Sequence, residues 1–525
     1  MINSLFEKVD ILKIEITDIF MDSIRLINYR GLEDTGTVEI KPLTFLLGAN
    51  SSGKSSFLKI LPLLKQSANT NVRGSFLWNG SLVDFEDFQN VVRNGMGEIE
   101  MEFCLSDFMY LHQRYWPSQK RIPSLMVSLK LSKKEDRWDY LSFLKIEANK
   151  ICIEIKFNTK QGKEYVESII VNGFDFSSKN QILAANFIGV IPRLLYREKD
   201  HIDDESELAY DEIRKMFVDK EAGVDNYLLR KTIMDLPVSV MLNENIGEKI
   251  RVRFKKDFEW DKEQEQRFIN LTCYYSINSF IDSINEYFSC FAKNVTYVAP
   301  LRANFERYYR FQNYSVDAID ADGRNLAMFL NSLGKDNMRL FNQWLSRVFK
   351  FEIQLTPSVG HVAIELKEEG KAFRNLVDLG FGYTEMLPIL AMVWKDVEYN
   401  KVAGHKGSHE LCKQHTFAIE QPELHLHPRF QAKFAKMLAY VINDAKKQNY
   451  DVRFVIETHS DVIINKIGEL IGEKTLDSND VNVVLFNAKK EGLEKYVETT
   501  HYSEEGYIVN WPYGFFDEDE EDDAD

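Results

Sequence analysis

The chain has 525 residues, 44% hydrophobic and 28% charged, with a formal net charge of -16. That balance is ordinary for a globular protein, and the length exceeds what one small core holds, so a main domain with a large insertion is expected. No apolar run is long enough to span a bilayer, and Met1 to Phe20 lack the basic start and apolar centre of a signal peptide, which points to a cytoplasmic protein without a membrane partner.

Five scattered cysteines with no Cys-x-x-Cys pair fit free thiols in a reducing compartment. Eight of the nine residues from Asp517 to Asp525 are acidic, and the rest of the chain is acidic too. A generally basic nucleic-acid-binding surface is therefore excluded, and nothing in the sequence establishes a nucleic-acid partner. The local basic groups Arg251, Arg253, Lys255, Lys256 and Arg302, Arg307, Arg310 read as solvated faces of ordinary elements.

In chain order, Met21 to Tyr29 alternate polar and apolar positions as a strand does, and Arg30-Gly31 turns it. Val38 to Leu47 reads as a second strand, running into Gly48-Ala49-Asn50-Ser51-Ser52-Gly53-Lys54-Ser55-Ser56. Phe57, Leu58, Leu61 and Leu64 then recur at helical spacing. Several alternating stretches between Gly97 and Phe176 predict an antiparallel β-lobe. A charged helical pattern follows over His201 to Lys231, then an amphipathic helix over Phe268 to Phe291 and a strand at Asn294 to Val298. No heptad pattern is sustained, so a long coiled-coil arm is not expected. Thr416 to Ile419 and Val452 to Ile456 are short apolar runs of the kind found in buried parallel strands. Val481 to Phe486 and Glu494 to Tyr502 read as edge strands, and the closing acidic run as disordered.

Strand, glycine loop and helix form the context that a phosphate-binding loop requires. Its glycines let backbone N–H groups face the phosphates of ATP, Lys54 neutralises the β- and γ-phosphates, and Ser55 holds Mg2+. Phe417-Ala418-Ile419-Glu420 is an apolar strand ending in an acid suited to ordering the magnesium shell. The next residue, Gln421, can orient water but cannot accept its proton. Glu423 is either a substitute base or a helix N-terminal acid favoured by the macrodipole. His459, after the next strand, is placed to donate to the γ-phosphate. Asp378 to Glu385 is glycine-rich and precedes an apolar helix, with Thr384 read as its N-cap. His405, His409, Cys412 and His415 lie within eleven positions but match no standard zinc spacing, so a solvated loop is expected there.

Gly48 to Ser56, Tyr297 to Arg302, Asp378 to Leu390, Ile419 to Pro428 and Glu457 to Asp461 together resemble the SMC-like ABC ATPases grouped with the OLD (overcoming lysogenization defect) family. The ending Gly506 to Asp517 resembles a bacterial subgroup without a nuclease domain. The resemblance implies an α/β fold: an ABC-type head with a central mixed sheet, an antiparallel β-lobe and a helical insertion. Expected boundaries are an N-terminal extension over 1–20, the first half of the head over 21–105, the lobe and insertion over 106–291, the second half over 292–512 and an acidic tail over 513–525.

The same resemblance makes Gly380, Gly382 and Thr384 part of an ABC signature motif that completes the ATP site of a second subunit, His459 a switch histidine, and His425 to Pro428 a D-loop region. Gln66 and Gln89 are both candidates for the Q-loop. The implied partners are a second copy of the chain and a separate effector, often a nuclease, as in the anti-phage systems Septu and PARIS. The alternative is a DNA-repair or chromosome-associated SMC-like ATPase. A self-contained OLD-type nuclease needs a metal-binding carboxylate domain, and the 66 residues after His459 are fewer than the ~100 of a typical domain.

Overall fold

The computed structural model describes residues 20–511, apart from 69–73, 94–95, 111–120, 134–138, 161–162, 178–181, 186–188, 199–200, 204–206, 219–224, 255–259, 301–304, 311–315, 317, 400–413 and 488–496. His405, His409, Cys412, Lys255, Lys256, Arg302, nearly all of the N-terminal extension and the acidic tail lie outside the described residues. The chain forms two compact units, one from Met1–Arg30, Leu63–Lys293 and Gly407–Lys413, the other from Gly31–Pro62, Asn294–Lys406 and Gln414–Asp525.

The first unit is an antiparallel meander with helices against it. Its strands Phe20–Tyr29, Glu98–Met109, Arg121–Lys133, Asp139–Ala148, Ile151–Lys160 and Lys163–Val171 pair in sequence order. Alternation places Ile99, Met101, Phe103 and Leu105 on one buried face. The amphipathic stretch expected as one helix is two, Lys262–Tyr275 and Ile277–Lys293, broken at Ser276. Asparagines on the second helix tie it to the strand Arg193–Glu198 and the residues just before it: Asn278 exchanges both amide bonds with Leu194, and Asn285 does the same with Ile191. Of the region read as helical from His201 onward, His201–Asp203 is a short strand and the helices are Glu207–Val218 and Asn226–Met241.

The second unit is built on a six-stranded mixed sheet. Its order is Val295–Val298, Gln414–Glu420, Asp451–Glu457, Leu43–Gly48, Val481–Phe486 and Val497–Thr500. All neighbours are parallel except the last pair. The α/β class, central mixed sheet and antiparallel lobe expected from the sequence are all present. Val481–Phe486 is not an edge strand: it lies between two partners and every one of its residues is buried. Its near-continuous apolar run is what a strand covered on both faces requires. The strand expected over Val38 to Leu47 is divided at Lys41-Pro42 into Val38–Glu39 and Leu43–Gly48.

Helices Phe381–Val393, Pro428–Lys447 and Asp461–Gly472 contribute to the core of this unit, with Leu387, Leu390, Phe434, Leu438, Ile463 and Ile467 almost fully buried. Proline at the first turn suits Pro428–Lys447, because that position has no intrahelical N–H bond to lose. A second, four-stranded antiparallel sheet is formed by Tyr309–Arg310, Phe351–Ser358, His361–Glu368 and Arg374–Asn375.

Candidate functional site

Parallel strands deliver their last residues to one edge of the sheet, and the sequence places its polar motifs there. Leu43–Gly48 ends in the glycine loop, Gln414–Glu420 in Glu420, and Asp451–Glu457 in Glu457. The three lie side by side in the sheet, with Asp451–Glu457 in the middle.

The loop depends on two glycines. Gly48 has φ +149, and a Cβ there would meet the Phe486 carbonyl oxygen at 2.1 Å; Gly53 has φ +108, and a Cβ would meet Leu32 at 2.4 Å. Ser51 adopts φ 63 between them. The helix that follows spans only Lys54–Leu58 before a break at Lys59. Pro62 explains the break: it has no N–H to donate to the Leu58 carbonyl.

Lys54 is buried and donates from Nζ to the carbonyls of Gly48 (2.9 Å) and Ala49 (2.6 Å). Burial pushes its ammonium below the usual lysine range, against the opposing pull of Glu457 and Glu423. Ser55 donates from Oγ to Glu457 Oε1 at 2.9 Å. Glu420 accepts from the Tyr297 hydroxyl at 2.6 Å and lies 3.6 Å from Lys59 Nζ. Burial raises the carboxyl of Glu457, with Glu420 adding to the effect.

Gln421 turns the chain out of its strand with φ 41, an uncommon conformation for a side-chain-bearing residue, and its N–H donates to the Glu457 carbonyl at 2.8 Å. Glu423 is not a helix N-terminal acid, since the next helix starts only at Pro428. Its carboxylate instead accepts from Thr458 Oγ1 (2.8 Å) and from the His459 backbone N–H (2.7 Å). Burial raises its pKa against those two bonds. His459 keeps an exposed side chain, and desolvation together with the Lys54 charge holds its imidazole below the ordinary range.

The loop, Glu420, Gln421, Glu423 and His459 are thus joined around one edge of the sheet. Glu457 and Tyr297 join them, although neither was among the sequence candidates. The signal for Glu457 was present: it ends an apolar run just as Glu420 does. Among the described residues, the side chains of Asn50 and Ser56 make no hydrogen bond that assigns them a part.

Gly380, Gly382 and Thr384 lie elsewhere in the same unit. Gly380, at φ 88 and ψ 165, is the N-cap, and the helix begins at Phe381. Thr384 is therefore inside the helix and buried, not its cap. The reason is the backbone of Gly380, which turns the chain early in a region open essentially to glycine alone. Gly382 lies against the Phe430 ring, and the exposed Asp378 pairs with Arg307. Gln66 is committed to structure, bonding Leu77, Leu82 and Val83 through both amide atoms. Gln89 sits in an exposed 3-10 turn. His415 is buried against Asp396 and Thr296, and no group of three or more metal-ligating side chains occurs among the described residues.

The donor set fits a magnesium nucleotide. Ser52 Oγ and Glu457 Oε2 are buried without a hydrogen-bond partner among the described residues, and such atoms call for a ligand. Lys54 supplies a cation, the loop supplies backbone N–H groups, and Ser55 with Glu420 supplies oxygen ligands of the kind a hard cation takes.

A P-loop at the end of a parallel sheet, with acids closing the neighbouring strands, defines a nucleotide-binding α/β ATPase. The sequence profile of the AAA ATPase domain family matches residues 20–464, and the chain belongs to that family. No match was found among curated proteins. Among solved structures, the chain is similar to the SMC head domain of Pyrococcus furiosus with an extended coiled coil, bound to the C-terminal domain of ScpA, at 11% identity and a TM-score of 0.37, covering 92% of this chain and 96% of that one. It is also similar to the SMC head domain of Thermotoga maritima, at 8% identity and a TM-score of 0.32, covering 92% and 99%. No helix of the described residues is long and apolar enough to cross a membrane.

Proposed function

We propose that this chain is an ATP-gated switch: two copies close around ATP, hydrolyse it slowly, and in the closed state control a separate effector protein. The observation that carries the reading is the arrangement after Glu420. The residue in the water-positioning place is Gln421, which lacks basicity, and the carboxylate two residues further on, Glu423, is engaged by Thr458 and His459. Lys54 and the loop N–H groups bind the phosphates, and Ser55 and Glu420 hold magnesium, which when bound neutralises phosphate charge. His459, partly accessible and adjacent to Lys54, donates to the γ-phosphate. Glu423 acts as a clamp that fixes the turn carrying His459.

Placement in the OLD-related group, and a role in anti-phage defence like that of the Septu and PARIS ATPase subunits, rest on the motif resemblance. A cytoplasmic location follows from the same reading. The effector, a nuclease in many such systems, recognises the ATP-closed pair.

The second subunit completes the site through the helix start at Gly380. Thr384 is buried, so the contact is tested at Gly380, which is exposed. Gly380→Asp places a carboxylate where a γ-phosphate is expected, whereas Gly380→Ala adds only the backbone strain. Both variants are expected to bind ATP as single chains. Light scattering should show ATP-dependent pairing lost in Gly380→Asp and retained, if weakened, in Gly380→Ala. Equal pairing by wild type and Gly380→Asp would remove the signature assignment.

A further inference from the structure

We infer that Glu457 is a direct ligand, with Glu420 and the Ser55 hydroxyl, of the divalent cation that accompanies the nucleotide. The assignment rests on the ATP-site reading above and adds to it a second acid. Glu420 and Glu457 are register partners on adjacent parallel strands, a spacing of about 4.8 Å between strands. Register partners project to the same face, so the two carboxylates converge. Nothing in the fold requires this pair: two acids this close repel, and burial increases the cost.

Their surroundings are only partly compensating. Glu420 receives the Tyr297 hydroxyl and the more distant Lys59 ammonium. Glu457 receives Ser55 through Oε1, while Oε2 is buried and without a hydrogen-bond partner among the described residues. Lys54 Nζ is turned to the carbonyls of Gly48 and Ala49 rather than to either acid. A bare carboxylate oxygen in that position is costly, and a hard cation is the partner that satisfies it. Magnesium sites of this kind take one or two carboxylates and complete their octahedron with phosphate oxygens and water.

The competing account is that Glu457 only fixes the Ser55 hydroxyl. Glu457→Gln separates the two, because its amide oxygen still accepts from Ser55 while the negative charge is gone. Binding of a fluorescent ATP analogue to the full chain is measured in EDTA and in Mg2+, and binding of Mn2+ with ATP by electron paramagnetic resonance. In EDTA, Glu457→Gln should bind the analogue as tightly as wild type or more tightly, since a carboxylate no longer faces the phosphates. In Mg2+ the order should reverse, and the Mn2+ half-saturation should rise at least about 10-fold.

Glu457→Asp keeps the charge but withdraws it by one methylene. It should match wild type in EDTA and lose part of the Mg2+ gain, which provides the test if Glu457→Gln does not fold. A wild-type Mg2+ gain and Mn2+ half-saturation in both variants overturn the assignment while leaving the ATP site intact. A wild-type chain that binds no nucleotide in either buffer overturns the ATP-site reading, and the assignment with it.

Discussion

Gln421→Glu is expected to raise the steady-state rate of ATP hydrolysis, by an amount within the roughly 10²–10⁴-fold that general-base assistance supplies. Gln421 occupies the position immediately after Glu420, at the end of a buried strand, and its backbone is anchored by the N–H bond to the Glu457 carbonyl. The substitution therefore changes the side-chain chemistry while the backbone anchor remains. Glutamine orients a water molecule; glutamate also takes its proton. Glu423→Gln serves as the comparison. Its carboxylate is already shared between Thr458 and the His459 N–H, and an amide oxygen can keep one of those bonds, so turnover should change little. A briskly hydrolysing wild type whose activity disappears in Glu423→Gln would make Glu423 the catalytic base and end the slow-switch account. Phosphate release under saturating ATP measures both variants.

Lys54→Ala is expected to abolish nucleotide binding while leaving the fold intact. Charge-assisted bonds are worth about 1.5–3 kcal/mol each, so losing two phosphate contacts raises Kd by roughly 10²–10⁴-fold. Isothermal calorimetry or retention of labelled ATP measures this, with a thermal melt confirming that the variant is folded. Removing the ammonium also removes the cation that favours the ionised forms of Glu457 and Glu423. Affinity equal to wild type in a folded Lys54→Ala protein would place the nucleotide elsewhere.

The parts of the site that were legible in the sequence are those set by local chemistry. The loop between Gly48 and Ser55 has a spacing dictated by backbone geometry, and Glu420 ends a run that can only be a covered strand. The same logic applied to Glu457, but Thr458-His459 drew the assignment two residues further on. The use of Glu423 depends on a contact with Thr458 across 35 positions, which no local pattern encodes. Tyr297 is still more remote from Glu420, separated by 123 positions.

Most elements that depart from the sequence expectation carry a local signal in the chain. Pro62 and Pro42 mark the interruptions after the P-loop and before its strand. Val-Asn-Val-Val-Leu-Phe at 481–486 is too continuous for an edge strand. Phe351 to Glu368, with alternating residues on either side of a Gly360 turn, encodes a hairpin. The helix break at Ser276 has no comparable cue, since the apolar periodicity continues through it.

The central claim is that ATP holds two chains together and slow hydrolysis lets them part. It is tested most directly by the molar mass of the wild-type chain in solution, measured by light scattering with Mg2+ and either ATP or ADP. The expected result is a mass in ATP twice that in ADP, persisting until the ATP is consumed. The same mass with both nucleotides would contradict it.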